Sequence, residues 1–292
     1  MNLLELFCDV DDFWQGFRPI WHVHLLESGE IQRIRATKLS ESEIMTILIQ
    51  FHTSRFRDFK AYYAFVCDHQ QCEFPNLVSY ERFVKLMSRV GMPMLVYLHL
   101  CQGDCTGISF VDSTPLKVCH NKRIPQHRVF EGFAARGKTT MGWFFGFKLH
   151  SVINHHGEIV AFNLTPGNAD DRQPLEIFQN HLFGKLFGDK GYLSSTLCDN
   201  LREVGIDLIT TLRRNMKPQI MALEDRLLLR KRAVIESIHN IWKSVLQIDH
   251  TRHRSVDNFV VNLLAGLIAY CHRPNKPTIS LPDDSTRQLV PA

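Results

Sequence analysis

The sequence predicts a mixed α/β domain that follows a helical N-terminal region. Residues 1 to about 100 show apolar side chains at helical spacing, and Ser40 with Glu43 three residues later forms the signature of a capping box. From about residue 105 the pattern changes to short apolar strands that alternate with helical segments, which is the order of an α/β fold. The composition favours a packed protein, because 45% of the residues are hydrophobic and 22% are charged.

The α/β part begins with a short strand over residues 108–112, which the following Ser-Thr-Pro sequence is expected to end. A hairpin comes next, with an alternating strand at 143–153, a turn at 154–157 and a returning strand at 158–164. The remaining elements are a helix at 173–181 capped by Asp170 and Asp171, a strand that ends before Asp189, a helix at 194–204, a strand at 207–212, a long helix at 220–247 and a buried helix at 256–271.

Basic residues are concentrated in one part of a chain whose net charge is only +4. Between Arg213 and Arg254 there are ten Lys or Arg and four Asp or Glu, which gives +6 there and −2 over the rest. One basic face on an otherwise balanced protein is typical of a protein that binds a polyanion. A solvated helical surface explains the same pattern equally well.

The sequence shows no sign of a secreted or membrane protein. The N-terminal residues contain no basic segment followed by an apolar run, so we expect no secretory signal. The longest apolar run, at 259–271, has about 13 residues, whereas a bilayer span needs about 20, so we expect a buried helix there. The eight cysteines lack zinc-ribbon spacing and are expected to be reduced thiols in a cytoplasm.

Three acidic residues occupy positions that suit a metal-dependent site. Asp112 and Asp189 each end a predicted strand, where side chains point into the ligand-binding crevice of an α/β sheet. Glu236 lies in the middle of the long predicted helix, on a polar face shared with Arg232 and Lys243. Three carboxylates supply the hard oxygen ligands of a two-magnesium phosphodiester site, and the two basic side chains could then contact phosphates.

Each of these acids also has a purely structural explanation. Asp112 could close a turn, and Asp189 could occupy one. Glu236 could form an exposed ion pair with Arg232, worth about 0.3–0.5 kcal/mol. Spacing alone does not separate the structural explanations from the catalytic one.

Ordered blocks of sequence carry a more specific signal over nearly the whole of residues 105 to 275. These blocks are Phe110-Val-Asp-Ser-Thr114, Phe130-Glu-Gly-Phe-Ala-Ala-Arg-Gly-Lys138, Met141-Gly-Trp-Phe-Phe-Gly-Phe-Lys-Leu-His150, Leu164-Thr-Pro-Gly-Asn-Ala-Asp-Asp-Arg172, Gly188-Asp-Lys-Gly-Tyr192, Leu228-Leu-Arg-Lys-Arg-Ala-Val-Ile-Glu236 and His250-Thr-Arg-His-Arg-Ser-Val-Asp-Asn-Phe259. As an ordered set they resemble the DDE transposases of the insertion sequence 982 family. The first hundred residues resemble the helical N-terminal region of that family more loosely.

The resemblance implies a fold and a catalytic site. The fold is an RNase H-like mixed sheet flanked by helices and preceded by an all-helical N-terminal domain. The catalytic triad is Asp112, Asp189 and Glu236, which bind two Mg²⁺ ions, with Mn²⁺ as a substitute.

The resemblance also implies residues that contact DNA. Arg232, Glu236 and Lys243 match a signature found around the glutamate in related transposases, and Leu229 stands where that signature has tyrosine. Four further residues lie in the resembling blocks and are expected to contact the DNA backbone, with packing roles as the alternative: Arg136, Lys138, Lys148 and His150.

These expectations divide the chain into a helical DNA-end-binding domain at 1–104, a catalytic domain at 105–275 and a loose tail at 276–292. The enzyme is expected to cut double-stranded DNA at terminal inverted repeats and to join the freed ends to target DNA. It is expected to be a homo-oligomer on DNA ends. The alternatives are an RNase H-like nuclease without strand transfer and an inactive DNA-binding descendant of a transposase. A serine or cysteine hydrolase is disfavoured, because no Gly-x-Ser-x-Gly sequence is present.

Overall fold

The computed structural model describes residues 2–35, 37–211, 221–249 and 253–281. Four of the clustered basic residues, Arg213, Arg214, Lys217 and Arg252, lie outside the described residues, as does the chain after residue 281. None of the described helices combines the length and the apolar composition needed to cross a membrane.

The chain packs as two compact units. The helical unit comprises Met1–Cys101, His127–Glu131 and Ile241–Pro274, and the α/β unit comprises Gln102–Gln126, Gly132–Asn240 and Asn275–Ala292. The helix expected at 256–271 belongs to the helical unit, so the compact units do not coincide with the segments 1–104 and 105–275. The division of functions between those two segments stays a prediction.

The described residues form α-helices together with short helical turns of other types. Short 3-10 helices lie at Ser88–Val90, Asn121–Gln126, Gln179–His181 and Lys190–Tyr192, and a π-helical turn lies at Ile241–Val245. The α-helices are α1 (Leu3–Glu27), α2 (Glu41–Thr53), α3 (Phe59–His69), α4 (Tyr80–Met87), α5 (Gly91–Leu100), α6 (Gln173–Phe178), α7 (Ser195–Glu203), α8 (Leu223–Lys231), α9 (Ala233–Asn240) and α10 (Val256–Cys271).

The core of the helical unit forms around α10. Nearly every side of this helix is apolar, and Phe259 and residues 261–270 are buried where it packs against α2 and α5. Helix α2 begins at the predicted capping box. The Glu43 N–H donates to Ser40 Oγ at 3.2 Å, and the Ser40 N–H donates to Glu43 Oε2 at 2.6 Å. The capping box is therefore confirmed.

The described residues of the α/β unit form a six-stranded sheet. Its strands are β1 (Ile108–Cys119), β2 (Ala135–Thr139), β3 (Gly142–Asn154), β4 (Ile159–Pro166), β5 (Gly184–Gly188) and β6 (Ile206–Thr210). Strand β1 pairs antiparallel with β3 and parallel with β5, and β5 pairs parallel with β6. Strands β2 and β4 pair antiparallel with successive parts of β3. The order β4-β3-β1-β5-β6, with three antiparallel strands followed by two parallel ones, confirms the predicted RNase H-like sheet.

Two predicted elements are wrong in extent. The first strand continues through Pro115 to Cys119, because β1 pairs with β5 only as far as Phe110 and with β3 beyond it. Proline has no N–H to donate, and it is tolerated in this part of β1 because only β3 pairs with the strand there among the described residues. The helix predicted at 220–247 is interrupted at Arg232 and changes to a π-helical turn at residue 241.

The first part of the predicted loose tail is packed on the β3–β4 turn. The N–H of Ile279 donates to the His155 carbonyl at 2.8 Å, and the Ile279 side chain is buried. At the same turn Gly157 has a φ of 75°, and a Cβ there would lie 2.1 Å from the Pro277 carbonyl oxygen. The chain is therefore held in place as far as the described residues extend.

Candidate active site

Two of the candidate catalytic acids stand at equivalent points of neighbouring parallel strands. Phe110 of β1 pairs with Phe187 of β5, and each candidate aspartate comes two residues later. Asp112 lies within β1 at the point where β5 no longer accompanies it, and Asp189 follows the last residue of β5. The parallel pairing therefore brings Asp112 and Asp189 to equivalent positions where β5 ends, although Asp112 lies inside β1 and not at a strand end as predicted.

Helix α9 brings the third acid to the same strand. Asp112 pairs across β1 and β3 with Ser151, so the two side chains lie on one face of the sheet. On that face the Ser151 hydroxyl hydrogen-bonds to Nε2 of His239 at 2.9 Å. His239 is on α9, which packs against β1. Glu236 lies one helical turn before His239 on the same helix.

Arg232 joins two of the three acids. Its Nη1 lies 3.6 Å from Asp112 Oδ2, and its Nη2 lies 3.3 Å from Glu236 Oε1. The side chains of Arg232 and Asp112 are only 19% and 23% exposed, whereas that of Glu236 is 61% exposed. The ion pair expected as the structural explanation of Glu236 is thus present, but its arginine also serves Asp112.

The pKa of Asp112 reports the charge around it. Burial is the main cause that raises this pKa to about 6, and the negative charges of Glu236 and Asp189 contribute to the increase. A hydrogen bond from the Ser113 N–H, 2.9 Å long, and the positive charge of Arg232 oppose the increase. The charges of Asp189 and Glu236 therefore act on Asp112, and the single positive charge of Arg232 does not cancel the combined effect of burial and these negative charges.

The donor set suits a divalent metal ion. Within the described residues, no three acid, histidine or cysteine side chains are already arranged to hold a metal. The carboxylate of Asp189 nevertheless has no ion pair or hydrogen bond in the same part of the chain, and it adds to the uncompensated charge at Asp112. Carboxylate oxygens are the ligands that Mg²⁺ prefers, so Asp112, Asp189 and Glu236 are the residues that could hold such an ion.

A network beside Asp112 was not expected from the sequence. Asp171 Oδ1 accepts a hydrogen bond from the Ser113 hydroxyl at 2.9 Å and one from Lys148 Nζ at 3.0 Å. Lys148 also donates to the Ala169 carbonyl at 2.9 Å. These contacts fix the residue that follows Asp112. Ser113 and Asp171 are 58 positions apart in the chain, so no local sequence pattern predicts their contact.

The predicted capping role of Asp171 is wrong. Helix α6 has Arg172 at its N-cap position, and no side chain caps its first turn. Asp170 instead forms an ion pair with Arg172 and accepts its backbone N–H at 3.0 Å. Asp171 turns toward Ser113 and Lys148, because a buried ammonium requires a nearby negative charge.

Tyr192 is a second residue near the acids that the sequence pattern did not single out. Its hydroxyl is buried and has no hydrogen-bond partner within the described residues. Burial raises the Tyr192 pKa well above its usual value, and the charges of Asp112, Asp171 and Asp189 raise it further. The only sequence signal for this tyrosine is its place in the block Gly188-Asp-Lys-Gly-Tyr192.

The candidate DNA contacts have different environments. Arg136 and Lys138 are exposed at alternate positions of β2, and Lys138 Nζ lies 5.7 Å from the centroid of the Trp143 ring. Lys148 is largely buried, and its ammonium is bound to Asp171. Lys243 lies in the π-helical turn, so α-helical spacing from Glu236 does not apply to it.

Comparison with known proteins identifies the family. Residues 102–256, a segment that contains all three candidate acids, match the model of a family described as transposase DDE domain. None of the curated proteins compared with the chain matches it. Among solved structures, the one titled "Crystal structure of the Mos1 Strand Transfer Complex" has 9% sequence identity, a TM-score of 0.24, and coverage of 82% of this chain and 78% of that chain. Because the family match extends over more than half of its length, the chain belongs to the transposase DDE domain family, whose members are enzymes that cleave and transfer DNA strands.

Proposed function

We propose that this chain is the transposase of an insertion sequence of the 982 family. It cuts DNA at the terminal inverted repeats of the element and joins the freed ends to target DNA. Membership of the DDE family supports metal-dependent chemistry on DNA, and the ordered sequence blocks support the finer assignment. The observation that carries the proposal is the arrangement of the three acids within the matched segment: Asp112 and Asp189 follow equivalent residues of two paired parallel strands, and Arg232 contacts both Asp112 and Glu236.

In this proposal Asp112, Asp189 and Glu236 hold two Mg²⁺ ions, for which Mn²⁺ can substitute. Bound metal supplies Lewis acidity to the phosphodiester oxygens that gain charge during the reaction. Arg232 neutralises part of the charge on Asp112 and Glu236, and its guanidinium can also bind a phosphate oxygen. Asp171 supports the site by binding Ser113, the neighbour of Asp112.

The reaction consists of two displacements at phosphorus. Water first breaks the phosphodiester bond at the element end and leaves a free 3′-hydroxyl. That hydroxyl then attacks a target phosphodiester, so one bond forms as another breaks and no protein–DNA bond is needed. Two element ends have to be held together for this outcome, which favours a homo-oligomer on DNA. The setting of the reaction is the bacterial cytoplasm, with the protein on nucleoid DNA.

The DNA contacts divide into two kinds in this proposal. Arg136 and Lys138 are exposed on β2 and are assigned to the DNA backbone, together with Arg232 and Lys243. Lys148 is assigned mainly to the support of Asp171, because its ammonium already makes two hydrogen bonds. Segment 1–104 binds the element ends, and segment 105–275 carries out the chemistry.

The test is cleavage and joining of a labelled duplex that carries an element end, with Mg²⁺ or Mn²⁺ and the full chain. We expect Asp112→Asn, Asp189→Asn and Glu236→Gln each to lower both reactions at least about 100-fold, because each removes a metal ligand while DNA binding persists. Asp199→Asn is the matched control, since that acid is 69% exposed on α7 and pairs with the exposed Arg202. This variant should react like the wild type.

The same assay separates the alternatives. Cutting without joining would favour the RNase H-like nuclease. Binding without cutting by the wild type would favour an inactive descendant of a transposase. If the three acid variants cut as fast as the wild type, Asp112, Asp189 and Glu236 have structural roles only and the proposed site is wrong.

A further inference from the structure

Helix α4 separates two basic grooves on the helical unit. The first groove, of about 610 Å³, is lined on its basic side by Arg33, Arg35, Arg82 and Arg89. The second groove, of about 600 Å³, is lined on its basic side by Arg57, Lys60, Lys85 and Arg254. Helix α4 contributes Arg82 to the first groove and Lys85 to the second, so it forms the ridge between them.

The arginines of the first groove are available to a ligand. Arg33, Arg35 and Arg82 are exposed, and no carboxylate of the described residues lies within ion-pair distance of them. Arg89 pairs with Glu41 at 3.2 Å. The positive charges of Arg33, Arg35 and Arg82 repel one another, and a bound anion with several phosphates would relieve that repulsion.

The second groove is also positive, although it contains acids. Asp58 and Glu81 lie among its four basic residues. Asp58 is occupied as the N-cap of α3, where it accepts the Ala61 N–H at 3.0 Å. Lys60 Nζ lies 5.8 Å from the centroid of the Tyr80 ring, which holds the ammonium beside the ridge.

Helix α1 borders the first groove through His22 and Leu25, but its own charges are mostly negative, since it carries five acidic residues and a single arginine, Arg18. Attraction to a polyanion would therefore orient the helical unit with α4 toward it.

The dimensions of α4 fit a DNA groove. Phe83, Leu86 and Met87 are buried and anchor the helix, while Glu81, Arg82 and Lys85 are exposed. An α-helix with its side chains is about 10–12 Å across, and the major groove of B-DNA is about 12 Å wide, so the diameter of a helix fits the groove. A ridge of this size with a basic groove on each side matches a major groove with a phosphate backbone on each side.

We propose that α4 enters the major groove of duplex DNA, with Arg82 and Lys85 at the base edges. Arg33 and Arg35 contact one phosphate backbone, and Arg57 and Lys60 contact the other. The identity of the duplex as an element end rests on the proposed function, whereas duplex binding by this surface does not. Arg82 can form the bidentate contact to guanine that side chains of this type favour.

The experiment measures binding of the full chain to DNA in EDTA, so that no strand is cut. A pool of random-sequence duplexes is first enriched on the wild-type chain, and one retained duplex is compared with a shuffled version at increasing salt. Arg33→Ala and Arg35→Ala should weaken both duplexes equally, and each should reduce the slope of log affinity against log salt by about 1. Arg82→Ala should weaken the retained duplex about tenfold or more, with a smaller effect on the shuffled one.

Two further variants sharpen the result. Arg82→Lys keeps the charge but loses the two-pronged contact, so it should preserve the salt slope and still lose the sequence preference. Arg18→Ala removes an exposed arginine from α1 and should bind both duplexes like the wild type. Circular dichroism confirms that each variant is folded before it is titrated.

The inference is overturned if the wild type binds no duplex, or if the α4 variants bind as tightly and selectively as Arg18→Ala. Because these titrations need no metal and no cleavage, they are independent of the catalytic acids. A chain that binds DNA through α4 but never cuts it would overturn only the proposed function. A chain that cuts DNA while the α4 variants bind normally would overturn only this inference.

Discussion

The charged residues of interest are buried in one compact unit and exposed in the other. In the α/β unit, Asp112 and Arg232 are mostly buried and are coupled to Glu236. In the helical unit, Arg33 and Arg82 are exposed and have no ion pair within the described residues. Water and salt screen an exposed charge, whereas a buried one acts strongly on its neighbours. Buried charge therefore tunes local chemistry, and exposed charge attracts and orients a distant polyanion.

The largest effect that we expect from this difference is a gain of stability in Asp112→Asn. A folded-state pKa near 6, against an ordinary value of 3.8, corresponds to about 3 kcal/mol between the two protonation states of Asp112. The protonated acid favours folding, so its contribution is present below pH 4 and is lost as the pH rises through 6. Asparagine cannot ionise. The metal-free variant should thus be more stable than the wild type at pH 8, by up to about 3 kcal/mol.

Urea denaturation in EDTA at pH 4 and pH 8 checks this expectation. The difference in unfolding free energy between variant and wild type should be larger at pH 8 than at pH 4. Asp199→Asn, at an exposed acid, is the control and should show little change at either pH. If the difference in unfolding free energy between variant and wild type is the same at both pH values, the surroundings do not destabilise the ionised Asp112 carboxylate.

A smaller loss is expected when the shared cation is removed. Arg232→Ala leaves Asp112 and Glu236 without their common partner, and we expect the metal-free protein to lose about 1–2 kcal/mol at pH 8. Arg202→Ala is the matched control, because Arg202 also pairs with two acids, Asp199 and Asp207, but all three side chains are more than half exposed and each pair is worth less than about 0.5 kcal/mol. Denaturation curves of the two variants compare a buried with an exposed arginine. Equal losses would contradict the contrast within the α/β unit.

Elements with a strong local pattern could be predicted from the sequence. The alternating residues 143–153 correspond to β3 at Gly142–Asn154, and the apolar segment 256–271 corresponds to α10 at Val256–Cys271. The pattern was clear because alternation and capping are local properties of the chain. The neighbours of an element are not local. The extension of β1 through Pro115 depends on which strand accompanies it, and no local signal records that.

The candidate site was predictable in its members but not in its connections. The sequence blocks pointed to Asp112, Asp189 and Glu236, whereas the electrostatic coupling among them depends on parallel strand pairing and on the packing of α9. The position of Asp171 just before α6 predicts a helix cap, but Asp171 instead binds Lys148 on β3. Contacts between residues that are distant in the sequence thus determine how the site residues are connected, and sequence spacing does not record such contacts.

The smallest expected effect concerns the exposed arginines of the helical unit. Arg82→Ala should change the unfolding free energy by less than about 0.5 kcal/mol, because its side chain is exposed and has no ion pair in the described residues. The change should be a slight gain at low salt, since Arg33, Arg35 and Arg89 line the same groove and repel it, and this gain should disappear at high salt. Denaturation at two salt concentrations measures both. A loss above about 1 kcal/mol would show that Arg82 packs as a structural residue, because an arginine kept for binding a polyanion contributes nothing to folding in the absence of its ligand.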